Sequence, residues 1–314
     1  MSDTAGRTVG SVFDVVEDRT DTSGRRCGPA VLSIDIELFD QTPAYRSAAG
    51  TTDQQGIGLD GLAWFRETLR DRGANTTCFV VSSLADPYPE AIESLADAGF
   101  EIASHTRSHE LLSELSADRR RGELRDSRER LESLTGQSVT GFRAPAFDIT
   151  DDHFALLAET GYGYDSSVIA SRAIPGWYGG EYDLETPARA TAIDPDAPAD
   201  VAELPASVMP GLRLPLTGTW LRFFGPRYTA LGMRLLARRG IAPVLYVHPW
   251  ELVGLPNVEG VPSRVYYHTG EWMREAVEYI LDQPFDFVTA RSVIEASLPD
   301  WAPATAAVDG HRET

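Results

Sequence analysis

Residues 30–37 read AVLSIDIE, an apolar run that closes on two acids, Asp35 and Glu37. Side chains two apart on an extended strand point to the same side, so both carboxylates face one way. Buried there, they need a cation or an arginine to compensate them. If the strand is already ending, both are solvated.

Further short apolar runs follow at 76–81, 101–104, 139–145, 163–168, 242–248 and 285–290, each succeeded by a loop or a helical pattern. The helical pattern from Leu59 to Arg72 puts Leu62, Phe65 and Leu69 on one face and stops at Gly73. Tyr88 to Ala98 does the same with Ile92 and Leu95 and stops at Gly99, and Ser116 caps an arginine-rich helix ending before Gly136. Strands alternating with helices of this length read as βα units on a mainly parallel sheet. About seven such units predict an α/β fold of one distorted (β/α)7-type barrel, closed or nearly closed. No GxGxxG follows the first strand, which removes the main support for a dinucleotide fold.

The 314 residues carry a net charge of −19, and all 28 basic residues are arginine. Without lysine, Schiff-base catalysis, pyridoxal phosphate attachment and a Walker phosphate loop are excluded. The acidity argues against nucleic acid as a partner and against an anionic membrane surface. It is the surface expected of a halophile, where salt screens self-repulsion. The expected organisation is an acidic tail over 1–27, a barrel over 28–300 and a second tail over 301–314. Within the barrel, 171–203 is an irregular insertion, either a lid or a surface excursion. No transmembrane run and no targeting segment is evident, so a cytoplasmic protein is expected, with Cys27 and Cys78 unpaired.

Chemistry-bearing residues cluster at the ends of the apolar runs. His105 and His109, in the sequence SHTRSH, stand four apart, a spacing that brings both rings to one divalent ion on a helical turn; exposed pairs of that spacing are also common. Arg143, in GFRAPAF, either holds a carboxylate by a bidentate fork or lies on a surface turn, and the proline after it leaves the Ala146 amide able to face a cavity. Asp165 and Ser166 end one run. His248 ends another, in VLYVHPWE, either as a core histidine or as a residue delivered to the barrel mouth. In a barrel the strand C-termini build the active site, and all of these features fall there.

The order of these segments resembles the polysaccharide deacetylase (NodB-homology, carbohydrate esterase family 4-like) superfamily, and in SIDIE, GFRAPAF, YDSSV and VHPWE a bacterial and archaeal subgroup linked to surface polysaccharides. The resemblance covers about residues 30–295. It implies a hydrolase of non-peptide carbon–nitrogen bonds that removes N-acetyl groups from an amino sugar of a glycan or glycan precursor. The cofactor it implies is a divalent metal, zinc first, with Co, Ni, Mn or Fe as alternatives. Asp35 would then be the general base, His105 and His109 metal ligands, and Arg143 the group that orients Asp35. Ala146 would donate its amide to the oxyanion, His248 would protonate the leaving amine, and Asp165 would hold His248.

Two departures stand out. The aspartate that usually follows the base is Ile36 here, so Glu37 is expected to supply the third ligand. The fourth motif has Ser166 where a tryptophan is usual, so the substrate groove must be walled by others. Phe147, Ser166, Trp220 and Trp250 are the candidates, with Phe223 and Phe224 beside Trp220; at that spacing the aromatics fit core packing equally well. Two other readings remain on the same barrel, an allantoinase-like opening of cyclic amides and a catalytically idle glycan-binding module.

Overall fold

The computed structural model describes residues 26–48, 56–174 and 179–302. The expected tails lie outside these residues except at 26–27 and 301–302. The strands are β1 (Pro29–Ile36), β2 (Thr77–Val80), β3 (Glu101–Ser104), β4 (Gly141–Phe142), β5 (Tyr164–Asp165), β6 (Ala188–Arg189), β7 (Ala202–Glu203), β8 (Val244–Val247) and β9 (Asp286–Phe287). Seven of the nine fall in the apolar runs. The helices are α1 (Pro43–Arg46), α2 (Leu59–Asp71), α3 (Pro89–Asp97), α4 (Ala117–Thr135), α5 (His153–Glu159), α6 (Gly218–Phe224), α7 (Pro226–Arg238), α8 (Glu271–Leu281) and α9 (Ala290–Ser297).

The sheet runs β6-β7-β5-β4-β3-β2-β1-β8, with β9 joining the start of β1. Its pairings are parallel except β6 with β7. Beyond β7 the chain reaches Ser207, whose N–H donates to the Val244 carbonyl at 3.1 Å and whose Oγ accepts the Val244 N–H at 2.8 Å. These bonds bring the far side of the sheet to the base of β8 and curl it into the expected distorted barrel.

Burial follows the pleat. On β1, Leu32, Ile34 and Ile36 pack outward with Leu62, Phe65 and Leu69 of α2, while Val31 joins an inner cluster with Phe79, Ala103, Tyr164 and Val244. Each large apolar side chain so buried contributes about 1.5–3 kcal/mol. Ser116 caps α4 by accepting the Arg119 N–H, and Gly136 ends it at φ 68°. Among the described residues no helix is long and apolar enough to cross a membrane.

One segment corrects its sequence reading. Residues 171–203 are not irregular throughout, because β6 and β7 lie within them and β7 pairs with β5. Their lack of period hid strands of two residues, too short for alternation to show.

Candidate active site

At the C-terminal end of β1 the Glu37 N–H donates to the Asp35 carbonyl at 3.0 Å, a tight turn that keeps both side chains on the inner side. Both are buried, and both line a cavity of about 540 Å³ together with His105, His109, Arg143 and His248. The compensating arginine is present. Arg143, 1% exposed, donates from Nη1 to Asp35 Oδ1 at 2.5 Å and to Ser33 Oγ at 3.1 Å. Its Nε and Nη2 donate to the Ser166 carbonyl and Ser166 Oγ, both at 2.9 Å, and its guanidinium lies 4.0 Å from the Phe79 ring centroid. A planar cation held on four sides fixes Asp35 in one orientation.

His105 and His109 come together, although not on a helix. The segment after β3 is a loop in which Thr106 (φ 65°) and His109 (φ 59°) adopt the left-handed region. Each such residue costs about 1–2 kcal/mol. Offsetting bonds hold the loop: His109 N–H to Thr106 Oγ1, the Arg107 and Ser108 amides to the Glu123 carboxylate, and Arg46 to the carbonyls of Ser108 and His109. The rings stand 4.9 Å apart between centroids.

The Nδ1 of His105 lies 2.7 Å from the Arg143 carbonyl and that of His109 lies 3.1 Å from the Gln41 carbonyl. Since a carbonyl only accepts, both Nδ1 atoms carry a proton, which leaves each Nε2 as the atom able to bind an ion. Glu37 completes the cluster, its three candidate donor atoms falling within 4.8 Å of one another. Glu37 Oε2 is 2.5 Å from His109 Nε2, and Oε1 accepts from Trp250 Nε1 at 3.0 Å. Burial opposes ionisation of Glu37, yet the neighbouring His109 holds its carboxyl well below the usual range. Burial pushes the His105 imidazole down to about 4, so it is neutral at neutral pH, the form that binds a metal. Two imidazoles and a carboxylate, each oriented by a further hydrogen bond, fit a divalent ion. Ile36, at the position where the resemblance expects an aspartate, is 1% exposed in the outer core.

Facing this cluster, His248 lies 3.8 Å from Glu37 and stacks on Trp250, the ring planes 20° apart. Its partner overturns the sequence expectation. Asp165 does not hold it; Glu251 does, at 3.1 Å from Nδ1, while Arg222 Nε donates to the other Glu251 oxygen at 2.7 Å. Burial lowers the basicity of His248, but Glu251 outweighs it and the imidazole is raised to about 9. Asp165 is instead bonded to Ser167 Oγ at 2.5 Å and to His153 of α5 at 2.9 Å. The pleat explains the difference: Tyr164 points into the barrel, so its neighbour Asp165 points out toward α5.

The remaining predicted residues divide. Ala146 (φ 53°) and Phe147 (φ 60°) form a left-handed turn, and both line the cavity. Phe147 meets the cavity-lining Tyr246 edge-on at 5.6 Å. Trp250 lines the cavity but is bonded to Glu37. Ser166 is fully buried behind Arg143, which removes it from substrate contact. Trp220 stacks on Phe224 at 5.5 Å and is not among the residues lining the cavity. No described residue of 171–203 lines it either, so the lid reading gains no support from the cavity wall. Glu251 could have been read from HPWE, three residues after His248; Arg222 had no local signal.

The fold is a mainly parallel α/β barrel of the deacetylase type, and its strand ends present three imidazoles, a carboxylate pair and a buried arginine. Residues 62–164 match the polysaccharide deacetylase family model. Residues 166–295 match a domain of unknown function (DUF3473), and the boundary between the two matches falls just after β5 in one continuous sheet. The chain is 27% identical to a peptidoglycan deacetylase of Helicobacter pylori, over 42% of this chain and 47% of that protein. It is 34% identical to a peptidoglycan deacetylase-like protein of Gibberella zeae, over 29% of this chain and 27% of that one. It therefore spans less than half the length of these curated relatives. Among solved structures, a candidate polysaccharide deacetylase from Mycobacterium smegmatis shares the fold with a TM-score of 0.62 at 24% identity, covering 89% of this chain and 93% of that one. Puue allantoinase shares it with a TM-score of 0.58 at 15% identity, covering 87% and 92%.

Proposed function

We propose that the protein is a metal-dependent deacetylase that hydrolyses the N-acetyl group of an amino sugar in a glycan or glycan precursor. The observation that carries this reading is the convergence, in one cavity, of an arginine-held carboxylate, a two-imidazole carboxylate cluster and an imidazole raised above neutrality. Glu37, His105 and His109 would hold a divalent ion, zinc first, which supplies Lewis-acid polarisation and makes water more acidic.

The chain's own residues divide the remaining work. Asp35, fixed by Arg143, accepts a proton from the attacking water. The Ala146 amide, on the left-handed turn at the cavity wall, is offered to the oxygen on which negative charge develops. His248, its Nδ1 held by Glu251, presents Nε2 and gives its proton to the departing nitrogen. Water adds to the carbonyl carbon, the carbon–nitrogen bond breaks, and the products are acetate and the free amine. Peptidoglycan deacetylases among the relatives support an N-acetylated amino sugar as substrate.

The test is acetate release from N-acetylglucosamine oligomers by the zinc-supplied protein. Unchanged release after His105→Ala with His109→Ala, or ring opening of allantoin without any acetate release, overturns the proposal.

A further inference from the structure

Behind the Ala146 turn stands a buried hydrogen-bond chain with no part in the steps assigned to Asp35, His248 and the metal cluster. The turn leaves β4 through Arg143 and Ala144, and its residues Ala146 (φ 53°) and Phe147 (φ 60°) adopt a conformation that side chains with a Cβ disfavour. Such a turn keeps its shape only where its surroundings hold it. Within it the Phe147 N–H donates to the Ala144 carbonyl at 3.1 Å. Downstream, the Asp148 carboxylate accepts the Ser113 N–H at 2.7 Å, and Phe147 packs on Ile169, Ala206 and Val208.

Upstream the hold is a side chain. β4 and β5 run parallel, and the Ser166 N–H donates to the Phe142 carbonyl at 2.9 Å. Beyond that bond the Ser166 carbonyl is taken by Arg143 Nε, and the Ala144 N–H goes to Ser167 Oγ at 2.8 Å. Ser167 is buried and is not among the residues lining the cavity. Its Oγ donates to Asp165 Oδ1 at 2.5 Å, while Asp165 Oδ2 lies 2.9 Å from His153 Nε2. A serine has one O–H and a carboxylate only accepts, so the bond to Asp165 commits the Ser167 proton and leaves a lone pair for Ala144. Glu203 stands opposite Asp165 on β7, its Oε1 accepting the Val168 N–H at 3.0 Å. Burial, with the Asp165 charge beside it, pushes the Glu203 carboxyl well above its usual range, so the pair carries one negative charge, on Asp165.

We propose, resting on the deacetylase reading, that Ser167 oriented by Asp165 is the positioning residue that sets the Ala146 amide for the oxyanion. Asp165 then acts on the reaction through this serine and not through His248. A backbone amide has no side chain of its own to aim, so its placement comes from the bonds that hold its turn. A reacting group displaced by about 1 Å can cost about a hundredfold in rate. The two serines after Asp165 divide the support of the segment facing them: Ser166 holds the Arg143 side chain, and Ser167 holds the next backbone amide. A purely structural role for Ser167 predicts lost stability with the chemistry intact. Positioning predicts lost rate in a molecule that stays folded.

The test compares the zinc-supplied full chain with its Ser167→Ala variant in acetate release from N-acetylglucosamine oligomers. The kcat should fall about tenfold to a hundredfold while KM changes by less than about twofold, because a donor to the oxyanion acts in the transition state. Zinc affinity and the alkaline limb of the pH–rate profile should stay as in the wild type, since other bonds hold the metal cluster and His248. Hydrogen exchange over residues 144–148 should quicken, which reads the turn without turnover. Asp165→Asn, which no longer commits the Ser167 proton, should show the same split at about threefold to tenfold, and it decides the matter if Ser167→Ala does not fold. Wild-type kcat in the folded variants, a loss carried by KM or by zinc affinity, or unchanged exchange overturns the proposal. A wild type that releases no acetate overturns the deacetylase reading and this role with it, whereas release by the wild type with unchanged kcat in the variants overturns this role alone.

Discussion

Glu251 and His248, three residues apart across the end of β8, form the contact that would set the acid side of the proposed site. The carboxylate accepts from His248 Nδ1 and from the His248 backbone amide, and Arg222 fixes its second oxygen. Gly218 leaves the space, since a Cβ there would stand 2.2 Å from Glu251 Oε2. A buried carboxylate beside an imidazole favours the imidazolium, so His248 holds its proton through neutral pH.

This relation fixes a pH dependence. With His248 raised to about 9, the catalytic rate should fall as pH rises through that value, because the acid loses its proton. Glu251→Gln removes the negative charge that raises it, and the alkaline limb should move to lower pH by about one to two pH units. A pH–rate profile of both proteins checks this; an unmoved limb contradicts the assignment.

Asp165→Asn should leave the alkaline limb in place. Asp165 contacts His153 and Ser167 on the outer side of β5, so its loss should reduce stability by about 1–3 kcal/mol. Denaturant unfolding measures the second effect and the pH–rate profile the first. A displaced limb would restore Asp165 as the group that orients His248.

Glu37→Gln should weaken zinc binding by about tenfold to a hundredfold, read by titration calorimetry, since a neutral amide replaces the anionic ligand. Adding Ile36→Asp should not restore it. Ile36 points into the core beneath α2, where an unpaired carboxylate costs about 3–5 kcal/mol. The thermal midpoint should therefore drop without any recovery of affinity.

Arg143→Met should cut the catalytic rate by about a hundredfold or more, and Arg143→Lys should recover little of it. Neither side chain reproduces the fork that reaches Asp35, Ser33 and both atoms of Ser166. Single-turnover rates at saturating metal check this, with circular dichroism to exclude unfolding.

Much of the site could be read from sequence because it rests on short-range geometry. Asp35 and Glu37 share a side by the period of a strand, and His105 and His109 are close by spacing, although a strained loop rather than a helical turn brings them together. The candidate third ligand, Glu37, was legible for the same reason: a side chain two residues beyond Asp35 returns to its face, and Ile36 cannot. Asp165 misled because a strand of two residues carries no readable alternation, so its facing was settled only by Tyr164 filling the barrel.

By itself the sequence determined the alternation of strands and helices, the residues at the strand ends and the exclusion of lysine chemistry, since these follow from local periodicity and composition. Only the tertiary structure decided which carboxylate holds His248 and that Ser166 and Trp220 stand away from the cavity. Those depend on pleat direction and on contacts between distant residues such as Arg222 and Glu251, which no local pattern encodes.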